Sequence, residues 1–285
     1  MVWRGLDRLW QGGHNRHILE LGAKMEARFT YLIGACYLIE IGHFRLISDP
    51  AFDPKGTERS EGPGHDLKKN MESPIGMESI GRIDIALLSH QQHFDNLDNS
   101  GRAILPKAGR VLTHPESAEA LGPMAQGLKD WESIDIQNAA GETLKITAVP
   151  AVHAPNDEVR KATGETTGFV IEWPGQQGGA LYISGDTVYH DGIEEIGQRF
   201  NIRTGILHMG AANVPAAGPY RLTMDAEEGV RLSNNLGLES IFPAHFEGWE
   251  HYKEGREPLK RKFDDGDLGQ KLRLLQPGDR VTLDL

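Results

Sequence analysis

Four apolar runs in this chain end, where a strand should stop, in side chains able to hold a metal ion. Residues 83–88 (Ile-Asp-Ile-Ala-Leu-Leu) lead into Ser89-His90-Gln91-Gln92-His93-Phe94-Asp95-Asn96-Leu97-Asp98. Residues 146–152 lead into His153, residues 181–184 pass through Gly185 to Asp186, and residues 241–244 lead into His245. Short, partly β-branched runs of this kind are what a sheet buries on both faces. Open α/β folds gather ligands at the carboxyl ends of their strands. Taken singly, each end has a plain explanation: a capping Asp, a satisfied histidine at a sheet edge, or a polar loop containing a helix N-cap. Together they bring imidazole nitrogens and carboxylate oxygens to one end of a sheet, the donors a divalent transition metal takes.

The rest of the composition fits a soluble α/β enzyme or binding protein. Of 285 residues, 39% are hydrophobic and 25% charged, ordinary for a globular chain long enough for one large core. A net charge of −11 argues against a nucleic acid or anionic membrane as partner, since nothing offsets phosphate repulsion globally. The single cysteine, Cys36, cannot form an internal disulfide or a Cys-rich zinc site and reads as a small buried side chain in a reducing compartment. No leader-like apolar region opens the chain and no run approaches a membrane span, so a cytoplasmic location is expected, with a homo-oligomer left open.

Along the chain, residues 1–27 read as an amphipathic segment. Residues 30–41 and 44–47 read as two strands joined by a hairpin at Gly42-His43. Residues 54–77, rich in Gly, Pro and charge, read as a long loop, and so do residues 154–166. Helices are expected over 97–105, 115–121, 191–199 and 225–236, the last opened by the capping-box layout Asp225-Ala226-Glu227-Glu228. Strands are expected over 110–113, 134–136, 143–149, 168–173, 180–184, 205–207 and 240–242, with a last hairpin of 272–275 and 280–283. Strand-rich halves that each carry helices favour one layered α/β domain over residues 1–285.

The order Asp49-Pro50, the His/Asp cluster, His153, Ser184-Gly185-Asp186-Thr187 and Pro243-Ala244-His245 resembles the metallo-β-lactamase superfamily of metal-dependent hydrolases, over about residues 30–251. Within it the chain looks most like the branch related to L-ascorbate-6-phosphate lactonase. The resemblance implies a four-layer αββα sandwich with its core over about residues 28–252 and metals at one edge of the two sheets. Carried over, His93 and His153 would hold the first metal, Asp95 and His245 the second, and Asp186 would bridge both. Asp49 would orient a ligand by hydrogen bonding.

Two departures matter. The family's cluster is His-x-His-x-Asp-His, yet here His90 and His93 are three apart and Asn96 follows Asp95. On a regular strand His90 and His93 would face opposite ways, so both reach one metal only if the chain turns at Gln91-Gln92. His90 is taken as a ligand; the alternative is that Gln91 or Gln92 lends a carbonyl while His90 stands behind it. Asn96 offers at most a weak amide-oxygen ligand, so the second site is expected to bind loosely or to prefer Mn²⁺ or Fe²⁺. Zn²⁺, as one or two ions, is the expected metal overall.

The implied reaction is hydrolysis of an ester, lactone or similar bond in a small metabolite, with an anionic one among the candidates. The nucleophile would be a bridging hydroxide, with Asp95 and Asp186 as the catalytic carboxylates. His208, His190, Glu247, Trp249 and His251 are candidates for the substrate pocket, although His208 and Trp249 read equally well as core. His114 is expected to cap or pack, and His14, His17, His43 and His65 to lie at the surface. Lys68, Lys69, Arg160 and Lys161 could draw an anionic substrate or simply form a solvated face. The alternatives are a phosphodiesterase on nucleic acid or phospholipid, and a non-catalytic metal- or ligand-binding protein with a degenerate site. A redox enzyme of the same fold is disfavoured, because those relatives carry an extra carboxylate where this chain has Gln or His.

Overall fold

A computed structural model describes residues 25–176 and 178–284, so most of the segment expected at 1–27, with His14 and His17, lies outside the described residues. The chain begins with an antiparallel meander, β1 (Glu26–Ile33), β2 (Cys36–Ile41) and β3 (Phe44–Ser48), then a small hairpin, β4 (Glu58–Ser60) and β5 (Asp66–Lys68). Next come β6 (Ile85–Leu88), α1 (Asn99–Arg102), β7 (Arg110–Thr113), α2 (Pro115–Leu121) and β8 (Gln126–Gly127). The second half supplies β9 (Ser133–Gln137), β10 (Thr143–Pro150), α3 (Asp157–Thr163), β11 (Thr167–Glu172), β12 (Ala180–Ile183) and α4 (Gly192–Arg199). It finishes with β13 (Ile202–His208), α5 (Ala226–Leu236), β14 (Ser240–Ala244), α6 (Arg256–Asp265) and β15 (Arg280–Asp284). Two large sheets result, in the orders β15-β1-β2-β3-β6-β7-β8 and β14-β13-β12-β11-β10-β9.

Side-chain alternation explains why they stack. Along β1 and β2, Ala27, Phe29, Tyr31, Tyr37, Ile39 and Ile41 enter the core shared with the second sheet, while Leu32, Cys36 and Leu38 enter a separate cluster on the other face. The same period of two sends Ile85 and Leu87 inward and Ala86 and Leu88 outward. Both faces of this sheet are therefore apolar, and each needs cover. Across the sandwich, Phe29 stacks on Phe242 with ring centroids 4.5 Å apart, and Tyr37 donates its hydroxyl to the Pro243 carbonyl at 2.8 Å. On the far side of the second sheet Ile193 and Ile196 of α4, Leu232 and Leu236 of α5 and Leu259 and Phe263 of α6 close the core. The result is the expected αββα sandwich.

Several local expectations change. Residues 30–41 form two strands, because Gly34 takes φ +60° and turns an apolar run that reads as continuous. The loop at 54–77 contains the β4–β5 hairpin, and the loop at 154–166 contains α3, capped by Asn156 through the Glu158 and Val159 amides. Helix α1 is only one turn long. Its N-cap is Asp98, so the plain reading of the polar loop holds for that residue. No terminal hairpin forms: β15 pairs with β1, and Leu272 makes an isolated bridge to Ile241. Helix α6 was not expected; its face toward the core amounts to Leu259 and Phe263, too sparse to mark a helix in sequence. Asp225 does accept from the Glu228 amide, as the capping layout requires. Cys36 is fully buried.

Candidate metal centre

Strands β3, β6, β10, β12, β13 and β14 all end at one edge of the sandwich, and the polar residues follow their ends. Asp49, just past β3, is held at φ +32° and accepts from the Ser89 amide at 2.8 Å and hydroxyl at 2.9 Å. Ser89 in turn lies 2.8 Å from His90 Nδ1. Asp49 thus sets the His90 ring through Ser89. Beyond β6 the chain leaves the sheet in turns, so His90 and His93 face the same space, with ring centroids 5.1 Å apart. Gln91 and Gln92 point elsewhere: Gln91 accepts from Arg102, and Gln92 donates to the Thr163 and Glu165 carbonyls. Of the two readings left open by the sequence, the geometry fits the one with His90 at the site.

His153, after β10, stands against both rings, 4.9 Å from His90 and 5.2 Å from His93 between centroids. Its Nδ1 donates to the Leu222 carbonyl at 2.9 Å, which leaves Nε2 as the lone-pair nitrogen. One nitrogen each from His90, His93 and His153 lie within 4.8 Å of one another, close enough to share an ion. A second such group joins Asp95, His245 and His251. Both imidazole Nε2 atoms of that group lie 2.9 Å from Asp95 Oδ2, which also accepts from the Tyr252 hydroxyl at 3.3 Å. His245 sits at φ +59°, a costly conformation for a non-glycine residue that aims its ring back at Asp95.

Asp186 stands between the groups. Its Oδ2 is 3.9 Å from His90 Nε2 and 3.2 Å from His245 Nε2, while Oδ1 accepts from His208 Nδ1 at 2.8 Å and Asn96 Nδ2 at 3.2 Å. Gly185 makes this placement feasible. At φ +61° its missing Cβ would lie 2.3 Å from the Thr167 carbonyl, so β12 can run directly under β11 into the site.

The electrostatics follow from burial and pairing. Burial pushes the His90 imidazole well below its usual range and His153 down to about 4, so both are neutral and ready to donate lone pairs. Burial also disfavours charge on His245, but Asp186 and Asp95 outweigh it and lift the ring to about 10. Asp95 and Asp186 resist the upward push of burial because of the facing histidines, and both stay ionised. The Nε2 atoms of His90 and His153 are buried without a hydrogen-bond partner among the described residues, whereas His208 Nε2 faces Asp49 Oδ2 at 3.7 Å. Buried polar atoms are almost always satisfied, so two unpartnered imidazole nitrogens grouped with His93 within coordination distance suit a cation site. The donor set therefore fits one or two divalent ions.

Not every sequence candidate is here. Glu247 pairs with Arg256, His190 caps the start of α4 by accepting from the Gly192 amide, and Trp249 is buried against Gly34 and Lys69; none of the three lines the space between the two groups. His251 lines that space, while His208 stands behind it, holding Asp186 Oδ1 at 2.8 Å. His65, expected at the surface, is half-buried and pairs with Glu61, which also holds His93 Nδ1 at 2.5 Å and the Phe94 amide at 2.8 Å. Glu61 and His65 come from the tip of the β4–β5 hairpin and carried no sequence signal; Tyr252 and Ser89 were also missed. His114 caps α2 and His43 is exposed beside Glu142, as expected. The cations are committed elsewhere: Lys69 is buried against Asp98 and the Ala51 carbonyl, Lys68 pairs with Glu58 and Glu250, and Arg160 pairs with Asp157.

A family profile described as Beta-lactamase superfamily domain matches residues 45–246, most of the chain and every strand end that carries the site. The chain belongs to the beta-lactamase superfamily. Among its relatives in that superfamily, a UPF0173 metal-dependent hydrolase of Methylacidiphilum infernorum is 25% identical over 90% of this chain and 100% of its own length. Two solved structures share the fold. An isothiocyanate hydrolase from Delia radicum gut bacteria has a TM-score of 0.73 at 19% identity, covering 89% of this chain and 98% of that one. Igni18, a metallo hydrolase from Ignicoccus hospitalis, has a TM-score of 0.68 at 20% identity, covering 91% and 99%. This superfamily member is a metal-dependent hydrolase of the metallo-β-lactamase fold. No helix among the described residues is long and apolar enough to cross a membrane.

Proposed function

We propose that this hydrolase uses two divalent ions and water to cleave an ester or lactone bond in a small molecule. The observation that carries the reading is the pair of buried donor groups, His90/His93/His153 and Asp95/His245/His251, with Asp186 reaching toward both. His90, His93 and His153 would hold one ion, Asp95 and His245 the other, and Asp186 both. Zn²⁺ suits such nitrogen-rich sets, while Mn²⁺ or Fe²⁺ suits the group that contains Asp95. When bound, such an ion acidifies water and polarises the bond under attack.

The chain's own residues supply orientation. Asp49, through Ser89, fixes the His90 ring; the Leu222 carbonyl fixes the His153 tautomer; His208 fixes Asp186. Asp95, kept ionised and held by Tyr252, orients the attacking water or accepts its proton. The space enclosed between the two groups is only about 10 Å³, room for about one water, so the bulk of the substrate lies outside it. Of apolar residues, Ala212 and Leu222 line that space, and they belong to a buried cluster with Leu67, Ala154 and Val214, against which Phe94 packs. Lys69 is buried against Asp98 and cannot meet an anionic substrate, whereas Lys68, Arg160 and Lys161 stay at the surface and could draw one. The lactone class rests on the resemblance to the L-ascorbate-6-phosphate lactonase branch.

Chromogenic esters, lactones and phosphodiesters, assayed with added Zn²⁺, Mn²⁺ or Fe²⁺ beside an Asp95→Asn variant, test the reading. Ester or lactone turnover that the variant loses is expected. Turnover of phosphodiesters alone moves the substrate class, and turnover that survives Asp95→Asn sinks the mechanism.

A further inference from the structure

The position after the cluster aspartate, a histidine in the family's usual pattern, is Asn96 here, and that residue spends its amide nitrogen on Ser89 and Asp186. By sequence the second group should therefore be short of one imidazole. We infer that His251 supplies it, as a metal ligand beside Asp95 and His245. The inference rests on the two-ion reading above.

The geometry treats His251 and His245 alike. Each turns Nε2 to the same oxygen, Asp95 Oδ2, at 2.9 Å, and each leaves Nδ1 without a partner among the described residues. Asp95, His245 and His251 are 4%, 0% and 7% exposed, so the donors sit in protein rather than in bulk solvent. A ligand must also be held in place, and the segment after β14 is pinned at three points. The Gly248 carbonyl accepts from the Asn70 amide at 2.9 Å, the buried Trp249 ring packs beside Gly34 and under Lys69, and the His251 carbonyl accepts from the Asn213 amide at 3.1 Å. The ring is thus presented from a fixed backbone, as tight metal sites require. A surface histidine that merely met Asp95 would not need a wedge residue and two backbone bonds around it. The second group then holds two nitrogens and one carboxylate, enough for tight Zn²⁺ binding. The loosely bound second ion that Asn96 alone suggests does not follow.

The test titrates Zn²⁺ into metal-free wild type, His251→Ala and, as a control, the exposed-histidine variant His43→Ala against a chromophoric chelator, and counts ions per chain after desalting. Expected are two ions for the wild type and for His43→Ala, and one tight ion for His251→Ala with the second weakened by about 100-fold. Retention of the first ion shows that the variant is folded. His251→Gln, which keeps a hydrogen-bonding group beside Asp95, is measured in parallel in case truncation unfolds the chain, and it too should lose the second ion. A second ion held equally well by wild type and either His251 variant overturns the inference, as does a single ion in both. Wild type that takes up no divalent ion overturns the metal-centre reading itself, a distinguishable result.

Discussion

His251 Nε2 and Asp95 Oδ2 lie 2.9 Å apart although 156 positions separate them in the chain. That contact, with its twin from His245, closes the second donor group and joins the two halves of the sandwich at one edge. Its consequences extend to the residues that support it.

Asp186 and His208 should separate a residue that contacts the ions from one that acts through it. Asp186→Asn keeps the shape but loses the charge facing His90 and His245, and should cut kcat by more than about 100-fold. His208→Gln removes the ring that holds Asp186 Oδ1 at 2.8 Å and should cost about 10–100-fold in metal affinity or activity. Steady-state kinetics with isothermal titration of Zn²⁺ read both. Equal effects from the two changes would remove the distinction.

Loading with metal should stabilise the fold. The centre packs ionised Asp95 and Asp186 beside buried imidazoles, an arrangement completed by a cation. At a free concentration about a thousand times Kd, binding adds about 4 kcal/mol, which for a chain of this size raises Tm by roughly 7 °C. Scanning calorimetry of chelator-treated protein with and without Zn²⁺ measures it, and unchanged melting would argue that no ion binds the native state.

Lys69 is a structural cation. It is fully buried with Nζ 3.2 Å from Asp98 and 2.8 Å from the Ala51 carbonyl, and Asp98 also caps α1 and accepts from the Asp53 amide at 2.5 Å. Removing one partner strands a buried charge, so Lys69→Met should lose about 3–5 kcal/mol in urea unfolding. A loss below about 1 kcal/mol would return Lys69 to the solvated face that sequence composition suggested.

The pH response of Cys36 has a definite sign. Burial pushes its thiol well above the ordinary range, so the native state keeps the proton while the unfolded chain ionises near its usual value of about 8.5. A group whose folded pKa is raised contributes stability that is complete below the unfolded pKa and lost as pH rises past it. Stability should therefore decline above about pH 9, and Cys36→Ala should flatten that decline. The thiol should also react with a disulfide reagent only after denaturation, and rapid labelling of native protein would contradict its burial.

Much of this molecule is legible in one dimension. Short, continuous apolar runs marked β6, β7, β10, β11, β12 and β14, and the metal-capable residues at four of those ends are the ones that meet. Strand periodicity and strand-end chemistry are local, carried by neighbours a few residues apart. Other features depended on packing. A continuous apolar run hid the turn at Gly34, and two core contacts were too few to announce α6. The site divides the same way. The entry of Glu61 and His65 from a hairpin tip and the arrival of His251 beside Asp95 are contacts between distant segments. The sequence by itself determined which side chains were available and at which strand ends they stood. Only the tertiary structure decided that Asn96 turns to Asp186 and His251 takes the place beside Asp95, because that choice is made by how β14 and its following loop pack against Gly34, Asn70 and Asn213, and no local pattern encodes it.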